Sequence, residues 1–478
     1  MLKVRLRRGV REGAVPVVPV LEGAGIPLAC AAGAQAAGFR GAAGRVLECF
    51  VPERCLLVGV GEAPDAAAWE RAGGSAIAAA GEVRHLGLDA RGLAPRDIAA
   101  FAAGAALRAW RFDEYRTRDV PKHPRALHIQ VDDPDAVAPA WARAEAAVRG
   151  ALFARDLVAE PANHLLPSQF IERLRLLEEH GVRLDVLGAK RLRKIGAGAL
   201  LAVGGGSADP PRLAVLRWRG SFAAPPVAFV GKGMCFDTGG ISIKPAAGME
   251  EMRADMAGAA ACAGAMLALA LRRSPAPAVA VLALAENATG ASSYRPGDVL
   301  RTASGRTVEV IDTDAEGRLA LADALHHARD KFAPQAMLDL ATLTGSIVTA
   351  LGHHRAGLFG NDAPLMAAVA AAGEEVGERL WPMPIGARHR EDLGSDIADL
   401  KQCAPSGSGA WGGRLLPDAC HAAAFLREFA GDTPWAHLDI AGVEARQEDD
   451  ALGPKGASGF GARLLDRLVE LRFESPDR

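Results

Sequence analysis

The chain has little charge imbalance, few aromatic residues and no closely spaced cysteine pair. Its 478 residues include 55 Lys and Arg against 57 Asp and Glu, which leaves a formal net charge of −2. A nearly neutral protein does not hold polyanions by bulk charge. Nucleic acid and anionic membranes are therefore not expected as its main partners.

Cysteine usage and the apolar runs predict a soluble, cytoplasmic protein. The seven cysteines are odd in number and include no CxxC pair. We therefore expect most of them to be buried and reduced, neither disulfide-bonded nor zinc-binding. Residues 15–21 are interrupted by Pro16 and Pro19, unlike a secretory signal. The apolar run 257–271 is shorter than a membrane span.

Several common catalytic motifs are also missing. The chain contains no HExxH, no GxSxG and no GxxxxGKS or GxxxxGKT sequence. These absences exclude a zincin-type metalloprotease helix, a serine-hydrolase elbow and a P-loop.

Strand and helix patterns alternate along the chain, which predicts an α/β fold. Strands are predicted at 2–8, 54–60, 126–131, 225–230, 278–285, 299–301, 307–311, 336–340 and 436–440, and helices at 66–80, 99–116, 138–158, 257–272 and 316–329. The length exceeds that of one ordinary domain. We predict an N-terminal α/β domain over 1–150, a helical connector over 151–165 and a C-terminal α/β domain over 166–478.

Two glycine-rich segments, 231–255 and 312–318, concentrate charged residues. The charged residues that we consider for a site are Lys232, Asp237, Lys244, Asp255, Asp312, Asp314, Glu316 and Arg318. Many of them follow predicted strands or open predicted helices, where open α/β sheets place ligand sites. Crowded carboxylates repel one another, and burying them is costly unless cations share the site. Oxygen ligands suit Mg, Mn or Zn, and more carboxylates than one ion needs predict a two-metal hydrolytic centre.

Individual carboxylates also have simpler interpretations. Asp255 or Asp314 taken alone could be a helix N-cap, and Glu316 could favour the helix dipole. Residues 312–317 imitate the start of an EF-hand loop, with Asp323 at its twelfth position. The strand pattern before this segment and the helical pattern directly after it disfavour a calcium hand.

The two segments together resemble signature sequences of the leucyl aminopeptidase (cytosol aminopeptidase, M17) family. The resemblance is carried by residues 230–245, 252–256 and 312–319, with flanking matches at 294–298, 339–345 and 435–442. It implies an N-terminal α/β domain similar to a macro domain and a C-terminal catalytic α/β domain around a mixed sheet, assembled as a homohexamer. It also implies a metal-dependent aminopeptidase that releases leucine and other apolar N-terminal residues from peptides.

The resemblance assigns five residues to a pair of divalent ions, Mn or Zn. These ligands would be Lys232, Asp237, Asp255, Asp314 and Glu316, with Asp237 and Glu316 bridging the ions. A lysine can ligate only as a neutral amine. Desolvation and neighbouring dications both favour that form.

The resemblance also implies two catalytic residues that do not bind metal and part of a substrate pocket. Lys244 would stabilise the developing oxyanion, and Arg318 would hold a bicarbonate ion that acts as a base. Met252, Thr342 and Gly345 match positions that line the pocket for the N-terminal side chain. An apolar pocket lined by a methionine predicts a preference for leucine and methionine as the N-terminal residue.

The sequence departs from the family pattern at two places. Asp312 stands where the family usually has Asn, at the edge of the expected substrate site. This extra carboxylate could shift the metal preference or disfavour acidic residues after the cut, or it could simply replace one hydrogen-bond acceptor, which we favour. The segment 401–413 also differs and borders the expected substrate rim.

Two other functions stay open on the sequence alone. A different two-metal hydrolase, such as a phosphoesterase, would usually recruit histidine, which neither segment contains. A non-enzymatic DNA-binding or scaffold protein on the same fold would be expected to have lost metal-binding or catalytic residues, yet all seven are present.

Overall fold

The structure is a computed structural model that describes residues 1–9, 11–50, 53–120, 122–404 and 418–474. Contacts within the chain define two units, one of residues 1–148 with 446–456 and one of residues 149–445 with 457–478. The first unit therefore includes a short segment from near the C-terminus. The domain limits that the sequence predicts, 1–150, 151–165 and 166–478, stay a prediction.

The first unit contains a mixed sheet and four helices. Among its described residues, the strands are β1 (Lys3–Arg7), β2 (Val15–Leu21), β3 (Val46–Cys49), β4 (Cys55–Gly61), β5 (His85–Asp89) and β6 (Ala126–Gln130), and the helices are α1 (Ala31–Ala36), α2 (Ala66–Ala79), α3 (Pro95–Arg108) and α4 (Pro134–Ala159), which continues past residue 148. The strand order is β1-β6-β5-β2-β4-β3. β3 pairs antiparallel with β4, and the other neighbours pair in parallel. β1 lies at an edge, as its alternating apolar and basic residues predict.

Helix α3 differs from its predicted range of 99–116. It begins at Pro95, because proline suits the first helical position, where no N–H is needed. It ends at Arg108, and the Arg111 guanidinium then donates to the carbonyl oxygens of Arg108 and Trp110, at 3.1 and 2.8 Å. The side chain of Arg111 satisfies acceptors that a continued helix would have used, so the helix stops there.

The second unit is larger and also α/β. Its described strands are β7 (Arg183–Leu187), β8 (Arg212–Trp218), β9 (Val227–Asp237), β10 (Ala278–Asn287), β11 (Val299–Arg301), β12 (Thr307–Glu309), β13 (Ala336–Ala341), β14 (Ala356–Gly360), β15 (Leu380–Pro382), β16 (Leu400–Lys401) and β17 (Trp435–Asp439), followed by the short β18 (Ala445–Arg446) and β19 (Gly456–Ala457) at the limits of the units. Its helices are α5 (Pro167–Leu174), α6 (Ala189–Lys194), α7 (Gly198–Val203), α8 (Ala257–Leu271), α9 (Glu316–Phe332), α10 (Gly345–Leu351), α11 (Ala363–Val376), α12 (Ala387–Glu391), α13 (Asp418–Ala430) and α14 (Ala462–Phe473).

The main sheet of this unit is mixed, as predicted. Its strands lie in the order β15-β14-β17-β13-β9-β10-β8-β7. The central strands β10, β9, β13 and β17 are parallel, whereas β8 and β14 run antiparallel to their inner neighbours. The central strands are buried along most of their length, because helices cover both faces of the sheet. All four therefore end at the same sheet edge.

Helix α8 is apolar on every side and forms part of the core of the second unit. Together with the preceding turn it makes one segment, Met249–Leu271, that is long and apolar enough to cross a membrane, although 89% of its most apolar window is buried inside the protein. The helix packs against β9, β10, β13 and α14. An added methyl group at Gly258 would lie 2.0 Å from the Leu340 carbonyl oxygen, so glycine is required there.

Candidate metal centre and substrate cavity

The charged residues of the two signature segments meet where the central parallel strands end. Lys232 lies within β9, and Asp237 is its last residue. Asp255 lies two residues before the start of the core helix α8, and Glu316 is the first residue of α9. The topology thus brings together groups that are far apart in sequence, at the edge where open α/β sheets bind ligands.

Lys232 forms ion pairs with two of the carboxylates. Its Nζ atom lies 2.8 Å from Asp255 Oδ1 and 2.8 Å from Glu316 Oε1, and it donates to the Thr342 carbonyl oxygen at 2.8 Å. An added methyl group at Gly317 would lie 2.5 Å from Lys232 Cε, so glycine leaves the space that the lysine occupies. The glycine of the second segment therefore fits the lysine of the first.

Lys244 pairs with the other carboxylates and is more exposed than Lys232. Its Nζ atom lies 2.9 Å from Asp237 Oδ2 and 2.5 Å from Asp314 Oδ1. The Lys244 side chain is 19% exposed, against 4% for Lys232. A ligand approaching from solvent can thus reach Lys244, whereas Lys232 is enclosed.

Burial and like-charge repulsion perturb this cluster. Burial raises the pKa of Asp255 well above its ordinary value, and burial together with Asp237 raises the pKa of Glu316. The same two causes raise the pKa of Asp314 to about 7. Burial lowers the pKa of Lys232, but attraction to Asp255, Glu316 and Asp237 outweighs it, so the net shift is upward. Among the chain's own groups Lys232 is therefore a cation, and its loss of a proton requires the opposing field of bound dications.

The donor set fits divalent metal ions. Asp237, Asp255 and Glu316 each offer an oxygen atom, and these atoms all lie within 4.8 Å of one another. The Asp255 Oδ2 atom is buried and has no hydrogen-bond partner in the described residues. An unpartnered buried carboxylate oxygen is costly unless a cation meets it. Hard or borderline ions such as Mn and Zn match these oxygens and the nearby amine.

A hydrogen-bond network fixes the two segments to each other. The Thr313 hydroxyl donates to the Gly239 carbonyl oxygen at 2.6 Å and accepts from the Ser242 N–H at 2.8 Å. Asn287, the last residue of β10, donates from Nδ2 to Asp237 Oδ1 at 2.7 Å and to the Thr313 carbonyl oxygen at 3.0 Å. The orientation of Asp237 is therefore set before any ion binds.

Arg318 lies in the first turn of α9 and is 2% exposed. Its Nη1 atom donates to the Gln402 carbonyl oxygen at 3.0 Å, and its Nη2 atom donates to Asp418 Oδ1 at 2.9 Å. Its Nε atom has no hydrogen-bond partner in the parts of the chain that are described. Within the described residues, one of the three guanidinium nitrogen atoms thus remains without a partner.

Asp312 supports the backbone of the second segment. Its Oδ1 atom accepts from the Asp314 N–H at 2.9 Å, and its carbonyl oxygen accepts from Gln402 Nε2 at 2.6 Å. The acceptor role is the one we favour for this residue from the sequence. Of the segment 401–413, only residues 401–404 lie within the described residues.

A cavity of about 360 Å³ adjoins the cluster. It is lined by Lys232, Asp237, Lys244, Asp255 and Asp314, and by the predicted pocket residues Met252, Thr342 and Gly345. Val348, Ala441 and Glu444 line the same cavity. Asp312 and Arg318 are not among its lining residues in the described chain. Four of the five predicted metal ligands thus share one concave site with Met252, Thr342 and Gly345, whereas Glu316 does not line it in the described chain.

Sequence reasoning missed three residues of this site. Asn287 ends an otherwise apolar strand, which is a detectable signal at a parallel sheet edge. Gln402 is fully buried and also accepts from the Ile311 N–H at 2.6 Å. Glu444 lies five residues after the end of β17, so an acidic residue next to a central strand end was the available signal.

Comparisons with known proteins agree with this geometry. The profile of the cytosol aminopeptidase family, catalytic domain, matches residues 152–466, and that of the family's N-terminal domain matches residues 28–119. A probable cytosol aminopeptidase of Brucella melitensis is 45% identical over 459 residues, covering 92% of this chain and 93% of that relative. The chain belongs to the cytosol aminopeptidase family. It is therefore a metal-dependent aminopeptidase, a hydrolase of peptide bonds, and neither alternative function is favoured.

Solved structures of other proteins are similar along nearly the whole chain. The bottromycin maturation enzyme BotP in complex with Mn matches with a TM-score of 0.85 at 35% identity, covering 96% of this chain and 99% of that one. A mutant of tomato leucine aminopeptidase matches with a TM-score of 0.86 at 28% identity, covering 98% and 96%. Cytosol aminopeptidases use two divalent metal ions, and the buried carboxylate cluster of this chain is of a kind that could bind metal.

Proposed function

We propose that the chain releases N-terminal amino acids from peptides at the carboxylate cluster, with Lys232, Asp237, Asp255, Asp314 and Glu316 as the metal ligands. The observation that carries this assignment is the convergence of three buried carboxylates within 4.8 Å beside Lys232. Two divalent ions, when bound, supply a polarised substrate carbonyl and a water that ionises near neutral pH. The remaining roles belong to the side chains around them.

Lys244 is the residue we assign to transition-state stabilisation. Its ammonium group lines the cavity and is reachable from solvent. Negative charge develops on the carbonyl oxygen as water attacks, and a cation placed in a partly buried site stabilises that charge more than bulk water does. Asp237 and Asp314 hold the ammonium group in position.

Arg318 is the residue we assign to holding a bicarbonate ion, which would supply a base for the attacking water. Support for an anion here comes from the free Nε donor of a buried guanidinium. Gln402 and Asp418 fix the other two nitrogen atoms, so the free donor has a defined direction. A carboxylate-like anion in that place would accept a charge-assisted hydrogen bond.

The cavity beside the cluster is the proposed site of the N-terminal side chain. Met252, Thr342 and Gly345 support the preference for leucine and methionine that the sequence predicts. Glu444 adds a carboxylate whose Oε2 atom is buried without a hydrogen-bond partner in the described residues. Leaving such an acceptor unpaired costs free energy, which a ligand with a donor would recover. We therefore propose that N-terminal lysine or arginine is accepted alongside leucine and methionine.

Hydrolysis of leucyl-p-nitroanilide by the purified protein tests the proposed reaction, with p-nitrophenyl phosphate as the comparison substrate. We expect the anilide to be cleaved, a chelator to abolish cleavage, and Mn, Zn, Co or Mg added singly to restore it to different extents. Asp255→Ala and Glu316→Ala should abolish turnover and lower the metal content. Cleavage that survives complete metal removal, or a preference for the phosphate ester, would contradict the proposal.

The assembly and location of the protein are also proposals. We propose a homohexamer in the cytoplasm, by resemblance to the family. Light scattering coupled to size-exclusion chromatography would give six times the 49.7-kDa chain mass. A monomer at working concentration would contradict the hexamer and leave the proposed chemistry of each chain intact.

A further inference from the structure

Three cysteines of the first unit meet at one point. Cys30 ends the short turn Leu28–Cys30, and Cys49 and Cys55 face each other across the antiparallel strands β3 and β4. One sulfur atom from each residue lies within 4.8 Å of the other two, and the Sγ atoms of Cys30 and Cys55 are 3.6 Å apart. All three are free thiols.

This spacing is that of sulfur ligands around one metal ion. At a Zn–S distance of about 2.3 Å, two thiolates on the same ion are separated by roughly 4 Å. The surrounding side chains are apolar and include Val20, Ala34, Phe39 and Leu57. Cys30 and Cys49 are buried, whereas Cys55 is half-buried. An ion can therefore enter beside Cys55, and water can supply a fourth ligand there.

We propose that Cys30, Cys49 and Cys55 form a second metal site, separate in chemistry from the carboxylate cluster, for a thiophilic d10 ion, either Zn(II) or Cu(I). Soft thiolate donors select these ions over Mg or Mn. Each cysteine exchanges its S–H proton for a bond to the metal, so three bound thiolates release three protons and no electron is transferred. These three residues are then exceptions to the expectation that the cysteines bind no metal.

A disulfide explains the cluster less well. It would join two of the sulfur atoms, leave the third unpaired and require an oxidant such as a peroxide. Cys30 and Cys49 are buried, and buried thiols react slowly with oxidants, whereas a metal ion binds the thiolate directly and displaces the proton.

Cobalt substitution of the full-length protein separates this site from the catalytic one. A thiolate bound to Co(II) absorbs in the near ultraviolet, and the carboxylate cluster offers only oxygen and amine ligands, so this band reports on the cysteines alone. We expect the band in the wild type, its loss in Cys55→Ser and Cys49→Ala, and one fewer bound Zn(II) per chain in both variants. Cys420→Ser, on α13 outside the cluster, should retain the band and the full zinc content.

Titration with Cu(I) in competition with a chromogenic Cu(I) chelator forms the second arm. Tight Cu(I) binding that depends on Cys55, without a cobalt band, would support the site and identify copper as its ion. Hydrolysis of leucyl-p-nitroanilide by each variant checks that the chain has folded. If folded wild type binds neither Co(II), Zn(II) nor Cu(I) beyond what Cys55→Ser binds, the proposal is wrong. The proposed peptidase activity would be unaffected by that result.

Discussion

The two lysines of the catalytic cluster illustrate how burial separates the roles of identical residues. Lys232 is enclosed and contacts Asp255 and Glu316, so its displacement would expose two buried carboxylates to each other. Lys244 lies at the cavity surface and contacts Asp237 and Asp314. Enclosure suits a ligand, and access to substrate suits a catalytic cation.

Replacing Lys244 with alanine should reduce kcat and leave the ions in place. The loss of one preorganised cation from an oxyanion site typically lowers kcat by about 10²–10³. We expect that reduction for leucyl-p-nitroanilide, with an unchanged metal content measured by mass spectrometry. Lys331→Ala, an exposed substitution on α9, is the matched control. A Lys244→Ala protein that loses its ions would show that this lysine organises the ligands instead.

Replacing Glu444 should change which N-terminal side chain is preferred. A hydrogen bond to a charged partner contributes about 1.5–3 kcal/mol, so Glu444→Gln should lower kcat/KM for lysyl substrates by roughly tenfold to a hundredfold. Leucyl substrates should change little, and Glu444→Met should favour them further. The measurement is a kinetic panel of lysyl, arginyl, leucyl and methionyl amides. Glu250→Gln, an exposed change that does not line the cavity, serves as the control.

Equal losses of kcat/KM for lysyl and leucyl substrates in Glu444→Gln would show that Glu444 does not determine the substrate preference. The original prediction from the sequence, a purely apolar preference, would then stand. Sequence reasoning could place Met252 and Thr342 beside the cluster, because Met252 lies in the first signature segment and Thr342 in the flanking match 339–345. The acidic residue after β17 was a signal for Glu444, but no local pattern indicates that this residue faces a cavity formed around Met252.

At the scale of elements, helix α9 connects the carboxylate cluster to the core of the second unit. Its first turn presents Glu316, and Asp323 lies further along, 1% exposed. Asp323 Oδ2 accepts from the Leu200 N–H at 2.9 Å, and Oδ1 accepts from the Ala303 N–H at 2.7 Å. One carboxylate thus ties α9 to the start of α7 and to the turn after β11.

Replacing Asp323 with asparagine should remove a pH-dependent part of the stability. Burial raises the pKa of Asp323 to about 7, above the ordinary value of 3.8, and backbone N–H donors offset only part of that shift. The native state therefore binds a proton that the unfolded state releases, and the free energy of unfolding falls as pH rises from about 4 to 7. The slope is about 1.4 kcal/mol per pH unit inside that window.

Melting temperatures of wild type and Asp323→Asn between pH 5 and 8 measure this effect. We expect the advantage of the wild type to be largest at pH 5 and to shrink towards pH 7. Asp330→Asn, an exposed change on the same helix, should follow the wild type at every pH. Parallel curves for Asp323→Asn and wild type would show that Asp323 is ionised throughout this range.

Element types and order could be read from the sequence wherever periodicity was strong. The apolar run of α8 and the hairpin of β11 and β12 match their predicted limits within one or two residues. Strands β9 and β10 extend beyond theirs, to Asp237 and Asn287, because pairing with each other continues past the apolar positions. The polar residues at these strand ends form part of the site. The apolar pattern from which a strand is predicted therefore ends just before the residues of the site.

At the scale of the whole molecule, the site makes stability depend on metal. Four carboxylates, Asp237, Asp255, Asp314 and Glu316, face two lysines in and around the cluster. The negative excess favours bound dications and disfavours the folded chain without them. A ligand that binds only the folded state stabilises it by RT ln(1 + [L]/Kd), about 2.7 kcal/mol at a hundredfold excess over Kd.

Removing one carboxylate should therefore make the melting temperature independent of metal. In wild type we expect a chelator to lower the melting temperature of the second unit by several degrees in scanning calorimetry, and added Mn to restore it. Glu316→Gln should be inactive, insensitive to the chelator and at least as stable as chelated wild type, because the amide relieves repulsion from Asp237 that raises the pKa of Glu316. Glu374→Gln, an exposed change on α11, should keep the metal response of the wild type. If chelated wild type were instead more stable than Glu316→Gln, Lys232 alone would be sufficient to neutralise the buried carboxylates. The ions would then contribute to catalysis but not to folding.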